Sequence, residues 1–238
     1  MPAFFVPETG RRTILDRNMQ KAELALVIAL LVIPPIVSGA GRADGSAGTL
    51  PAPAFSARLV ALTTAAALLY ARHRNVHLIR FQSRWTAMRI AVLSGVSLAA
   101  FGALCVSSAL AALAGHLSGA GSARLSAPCG IAGWLGAAGA VICAAFYEEV
   151  LYRMYLPEEL KSLLSSGGKI PAMVPECAGV LLFAAAHSYQ GAIGVANALV
   201  CGAALRRTIA ATRSIWFAIV PHAAYNMMAL AAAAALGG

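Results

Sequence analysis

Charge is scarce in this chain. Only 11% of its 238 residues are Asp, Glu, Lys or Arg, where a soluble domain carries about 25%. Acidic residues are the rarest of all, nine against eighteen Lys and Arg. With 60% of the residues hydrophobic and a mean hydropathy of +0.75, no soluble core could enclose the apolar sequence, so most of it faces lipid. A soluble enzyme is thereby excluded.

Other absences narrow the reading further. The five cysteines, Cys105, Cys129, Cys143, Cys177 and Cys201, form no C-x-x-C pair. Most stand in or beside apolar stretches, which predicts buried small hydrophobes. No stretch is long enough to serve as a domain linker and no internal repeat is visible, so residues 1–238 read as one polytopic membrane domain. A net charge of +9 raises nucleic acid as a partner. The positive residues stand in short clusters between apolar runs, however, and act there as topology signals and contacts to anionic lipid. No nucleic-acid partner is expected.

What the chain does have is long apolar runs. Crossing about 30 Å of hydrocarbon takes about 20 residues. Seven runs qualify or come close, at about 22–39, 54–71, 88–116, 130–157, 173–191, 192–206 and 214–236. The expected fold is all-α, a transmembrane bundle of about seven helices. Abundant Ala, Gly and Ser let such helices approach closely, with Gly95, Gly102, Gly133, Gly136 and Gly139 as expected contact points.

The basic residues orient the bundle. Arg11, Arg12, Arg17 and Lys21 precede the first run, and Arg72, Arg74, Arg80, Arg84 and Arg89 follow the second. The fourth connection, counted from the end of its run, has Arg153, Lys161 and Lys169, and the sixth has Arg206, Arg207 and Arg213. The alternate connections hold only Arg42, Arg58 and Arg124. This asymmetry predicts a cytoplasmic N-terminal segment over residues 1–21 and a C-terminus outside the cell membrane. A cleaved signal peptide competes for the first run, but the leader before it is long for one, and an uncleaved anchor is the expectation.

Ionisable residues inside apolar runs cost about 2.5–3.5 kcal/mol on insertion scales and mark function by default. Three groups occur. The first is Glu148 and Glu149, followed by Arg153. Glu149 and Arg153 are four apart and meet on one helical face. Glu148, turned about 100° around the helix, is left to face another partner. The second pairs Phe183 with His187, and the third pairs His222 with Asn226 just after Pro221. His73, His77 and His116 lie near basic loops or a helix end and read as surface residues. Glu158 and Glu159 read as an interfacial acidic cluster.

One carboxylate, two imidazoles and one carboxamide thus project from three helices. A carboxylate with an imidazole can deprotonate water, a step worth roughly 10²–10⁴ in rate. A second imidazole with an amide can donate to a tetrahedral oxyanion, where one donor is worth roughly 10²–10³. No Ser or Cys stands beside a base as a nucleophile would, so activated water is the expected nucleophile. If the fourth helix runs to about Leu163, Glu148 lies about 22 Å from that end.

At these residues the chain resembles the CAAX-protease and bacteriocin-processing family, which includes the Ras-converting CAAX endopeptidase. The pattern E-E-x-x-x-R, F-x-x-x-H and H-x-x-x-N appears in order as Glu148-Glu149-x-x-x-Arg153, Phe183-x-x-x-His187 and His222-x-x-x-Asn226. The resemblance covers about residues 130–230 and departs at Met154, where many members have Gly. It implies an intramembrane endopeptidase in which Glu148 and His187 activate the water and His222 and Asn226 form the oxyanion site. Glu149, Arg153 and Phe183 would support them. The expected enzyme needs no cofactor. A zinc variant would hold the metal on Glu148, His187 and His222, a His₂Glu set.

Two readings from other classes stay open. A proton-coupled transporter would use Glu148, Glu149 and His187 as a relay, although no inverted repeat is visible. A silent membrane scaffold would use the polar residues only to tie helices together. The expected partner is a membrane-anchored protein or peptide substrate within the bilayer. The Ala-, Gly- and Arg-rich composition suits a bacterium of high genomic GC, where prenylated substrates are not expected. Peptide maturation or removal of a C-terminal membrane anchor fits better.

Overall fold

The computed structural model describes residues 14–40, 49–50, 52–77, 87–118, 124–164, 171 and 173–235. Arg11, Arg12, Arg42, Arg80, Arg84 and Lys169, on which part of the expected topology rests, lie outside them. The described residues form seven helical rods. The first is α1 (Ile14–Val27), which passes through a π-helical turn at Ile28–Val32 into α2 (Ile33–Ala40). Then come α3 (Ala57–His77) and α4 (Ala87–Ser118). The fourth rod is α5 (Gly130–Glu148), a π-helical segment at Glu149–Tyr155, and α6 (Leu156–Leu164). It is followed by α7 (Met173–Ala186), α8 (Gly191–Thr212) and α9 (Trp216–Ala235). Two short strands, Thr49–Leu50 and Arg124–Leu125, pair in parallel.

Five stretches are long and apolar enough to cross a bilayer: Arg17–Ser38, Val92–Leu117, Gly130–Leu164, Ser188–Thr212 and Trp216–Ala235. The protein is a multi-spanning helical bundle. The fifth and sixth rods differ from the sequence reading. The α7 helix stops at Ala186, and its 14 residues reach about 21 Å, short of a full crossing. The α8 helix, expected to be the short one, has 22 residues. Between them the polar run Ser188–Gln190 closes into a 3₁₀ turn. Gly191 then takes φ 76°, a left-handed conformation open to a residue without Cβ, and lets the chain reverse.

Two of the prolines inside the rods, Pro157 and Pro221, interrupt them near the centre of the bundle, and each removes the N–H that the carbonyl four residues earlier would accept. A neighbouring rod replaces it both times. The Ser97 hydroxyl of α4 donates to the Phe217 carbonyl at 3.1 Å, opposite Pro221. Arg206 of α8 donates to the Arg153 carbonyl, opposite Pro157. Arg206 also pairs with Glu176 and, at 3.4 Å, with Glu158. Those substitutions matter in lipid, where no water stands ready to bond a freed carbonyl.

The fourth rod is the centre of the core. All seven residues of its π-helical segment are buried, and Val150, Leu151, Tyr155 and Leu156 are fully enclosed. The α7 helix reaches this segment at Gly179, where a Cβ would stand 2.5 Å from the Tyr152 carbonyl oxygen. The α8 helix approaches Phe183 at Gly202, where a Cβ would meet its ring at 3.1 Å. Of the glycines expected at contacts, Gly139 alone is pressed tightly, by Phe55 at 2.7 Å. Gly133 touches only nearby Pro128, and Gly95, Gly102 and Gly136 have open space around them. Periodicity could not say which face of each rod meets protein and which meets lipid.

Three further expectations are corrected by packing. Only Cys201 of the five cysteines is buried, while Cys129 and Cys177 are exposed. Glu159 is buried rather than interfacial. His116 is exposed, but the His73 side chain is only 12% exposed, held by Glu23 at 2.8 Å and Glu159 at 3.2 Å. These two carboxylates belong to α1 and α6, which draw His73 inward from the end of α3. The His77 side chain lies outside the described residues.

Candidate active site

The site is built around the junction of α5 with its π-helical continuation. Glu148 ends α5 and Glu149 begins the wider turns. At the far side of that segment the Leu156 N–H bonds the Leu151 carbonyl, five residues back. Such turns are rare and occur often at functional sites. The rod does run on to Leu164, so Glu148 lies roughly 24 Å from its end, counted as helical rise.

Glu149 is completely buried, and its Oε1 stands 3.3 Å from Nη1 of Arg153, the pairing expected from their spacing. Arg153 is equally buried, and no hydrogen bond satisfies its guanidinium nitrogens among the described residues. Its charge is met by the Glu149 carboxylate and by the face of the Phe183 ring, 3.5 Å below the guanidinium carbon. A cation over an aromatic face gains most where water is excluded. Phe183 therefore supports the site by carrying Arg153, and it also stacks against His187, with ring centroids 4.3 Å apart.

His187 sits one residue beyond the end of α7, at φ −98°, ψ 12°. This bridge region of backbone space is thinly populated and recurs at active sites. The sequence reading put it inside the helix; the early end of α7 puts it on a turn. Its Nδ1 lies 2.8 Å from the Phe183 carbonyl oxygen. A carbonyl only accepts, so Nδ1 carries the proton, and in the neutral ring Nε2 is left with a lone pair.

Glu148 and His187 line the same cleft, about 230 Å³ in volume, together with Ser56, Arg58, Tyr147, Tyr152 and Tyr189. Glu148 keeps 17% of its side chain exposed, where Glu149 keeps none. His222, on α9, reaches both carboxylates. Its Nδ1 is 2.8 Å from Glu149 Oε1, and its Nε2 is 3.5 Å from Glu148 Oε2. A neutral ring has a single N–H and can serve one of them; an imidazolium can serve both. Asn226 follows one turn later, half-buried, and its amide makes no hydrogen bond among the described residues.

The structure thus gathers Glu148, Glu149, Arg153, Phe183, His187 and His222, and leaves Asn226 beside them. Glu148, His187 and His222 do not converge as metal ligands, and no group of three His, Cys, Asp or Glu among the described residues does so. Arg58 and Tyr152, which share the cleft, were missed by the sequence reading. Arg58 comes from a rod remote in sequence, and nothing in its local pattern marks it.

Residues 130–228 match the family model of Rce1-like type II CAAX prenyl endopeptidases. That segment is similar to an Rce1-like CAAX-protease domain. It takes in all three motifs and every rod from α5 to most of α9. That family is one of proteases. No curated protein and no solved structure was found to match the chain. The first three rods lie outside the matched segment, yet α3 supplies one wall of the cleft through Arg58, Leu59 and Leu62.

Proposed function

We propose that the protein is a glutamic-type intramembrane endopeptidase that cleaves membrane-anchored proteins or peptides without a metal. The observation that carries this is the division between the paired carboxylates: Glu149 is spent on Arg153 and His222, while Glu148 faces the cleft it shares with His187. Water held between Glu148 and the bare Nε2 of His187 loses a proton to them as its oxygen attacks the scissile carbonyl carbon. His222 and Asn226 donate to the oxyanion that forms. The proton then passes to the leaving amine as the C–N bond breaks.

The metal-free reading is favoured because Nδ1 of His222 is directed at Glu149 and its Nε2 at Glu148. Activity of the purified protein should survive exhaustive treatment with a strong chelator; loss restored by Zn²⁺ but not Mg²⁺ would instead establish the zinc variant. In orientation, the basic-residue asymmetry puts the N-terminus in the cytoplasm and the C-terminus outside the cell membrane. The cleft then opens at the outer end of the bundle, where α3 begins with Arg58. An outward site suits maturation of exported peptides or removal of a C-terminal anchor. Comparing the membrane proteomes and peptidomes of wild-type and Glu148→Ala cells tests this directly. A precursor that accumulates only in the mutant names the substrate, and identical profiles refute the reading.

A further inference from the structure

We infer that the cleft carries an anion subsite, formed by Arg58 over the Tyr152 hydroxyl, that takes a carboxylate of the peptide substrate close to the scissile bond. The inference rests on the peptidase reading and extends it to substrate class.

Arg58 stands in the first turn of α3 and is exposed, yet it lines the cleft with Glu148, His187 and Tyr152. It makes no hydrogen bond or ion pair with any described residue. Arg72, Arg153 and Arg206 each pair with a carboxylate; Arg58 alone of the arginines without such a pair lines the cleft. Glu148 shares the cleft but forms no ion pair with Arg58. Beside it Tyr152 is 1% exposed, and its hydroxyl faces that of Tyr147 and has no other hydrogen-bond partner among the described residues. Two facing hydroxyls share one hydrogen bond, and the donor or acceptor left over is open to a ligand.

The backbone adds to this. Ser56 caps α3, its hydroxyl accepting the Leu59 N–H at 3.1 Å and its carbonyl the Val60 N–H at 3.0 Å. The amides of the first turn ahead of Leu59 have no acceptor within the helix, and the positive end of the α3 dipole lies at the cleft. Guanidinium, hydroxyl and helix end all favour the same ligand chemistry, a planar oxyanion taken in bidentate fashion. The cleft is smaller than the roughly 300–1,000 Å³ of pockets for drug-sized ligands, so only a short stretch of extended peptide fits. Its carboxylate is therefore an Asp or Glu side chain beside the cleaved bond. Without Arg58, such a group would meet the negative charge of Glu148.

The test uses purified full-length protein in detergent micelles and a chymotryptic peptide library from a bacterial membrane proteome. Half of the library is left native and half comes from protein whose Asp and Glu side chains were amidated before digestion, so that peptide C-termini stay free; products are identified by mass spectrometry. Wild type should cleave the native half about 10- to 100-fold better, the range for one hydrogen bond to a charged group. Arg58→Ala should cleave both halves alike, and Arg58→Lys should keep part of the preference. Melting curves confirm that each variant folds. A preference for native peptides that survives in Arg58→Ala overturns the inference, as does a wild type indifferent to amidation. No cleavage at all by the wild type overturns the peptidase reading itself and the subsite with it.

Discussion

Among the described residues two histidines are each set between two glutamates, and only one of them belongs to the candidate active site. His222 lies between Glu148 and Glu149, with Arg153 behind. His73 lies between Glu23 and Glu159, with Arg72 paired to Glu23 at 3.1 Å and the Tyr155 hydroxyl donating to Glu23 at 3.2 Å. The ingredients are the same and the construction is opposite. The His73 cluster draws its carboxylates from two different rods, so every bond in it ties α1, α3 and α6 together. The His222 cluster takes both from one helix, at neighbouring positions where the α-helix widens into π turns. One carboxylate can then be committed inward while the other faces a cleft and a second histidine. Composition does not distinguish a tie from a site; the direction in which the last carboxylate points does.

The sharpest way to break this comparison is to neutralise the outward carboxylate. Glu148→Gln should lower turnover by roughly 10²–10⁴, the range for a lost general base, while the protein inserts and melts as wild type. Near-normal turnover in the purified variant would remove Glu148 from the mechanism. Next in size is Asn226→Ala, with a fall in kcat on the order of 10²–10³ and little change in substrate binding. Combining it with His222→Ala should cost less than the product of the two separate effects, since residues that act as a unit are not additive. A folded Asn226→Ala that cleaves at the wild-type rate would end the oxyanion assignment.

Glu149→Gln probes the inward half of the pair. It leaves Arg153 as a buried charge without its counterion, which costs about 3–5 kcal/mol. Stability and activity should fall together, in contrast to Glu148→Gln, where activity falls alone. The two variants would be indistinguishable if the carboxylates shared one role.

The smallest effect concerns the tie. The hydrogen bond to Glu159, helped by Glu23 and opposed by burial, raises the pKa of His73 above the ordinary histidine value. A raised folded-state pKa gives stability that is complete below about pH 6.5 and fades as pH rises through the raised value. Thermal melting of wild type should therefore weaken over that window, and His73→Gln should flatten the dependence while leaving turnover intact. Loss of cleavage in folded His73→Gln would mean that the two clusters do not differ in kind.

Much of the site was legible because helical periodicity is local. Four residues of spacing put Arg153 on the face of Glu149, and the same spacing joined Phe183 to His187. The seven rods followed from the lengths of the apolar runs. The misreadings share one cause, since each concerns what a residue meets across the bundle. Glu159 and His73 looked like surface groups because each is bordered by polar neighbours in sequence, and they are buried because their partners come from other rods. The α7 helix was read as too long because its apolar composition continues toward Ser188, where the 3₁₀ turn and the reversal at Gly191 end it.

The sequence by itself determined that the protein spans a membrane, how many rods it forms and which residues are the candidates for its chemistry. Those follow from apolar run length, local spacing and the cost of placing an ionisable group in lipid. Only the tertiary structure decided that Glu149 turns inward and Glu148 outward, that one histidine bridges both, and that Arg58 from a distant rod shares their cleft. Contacts between rods depend on which face of each helix meets which neighbour, and in a chain apolar nearly all round no periodic pattern records that choice.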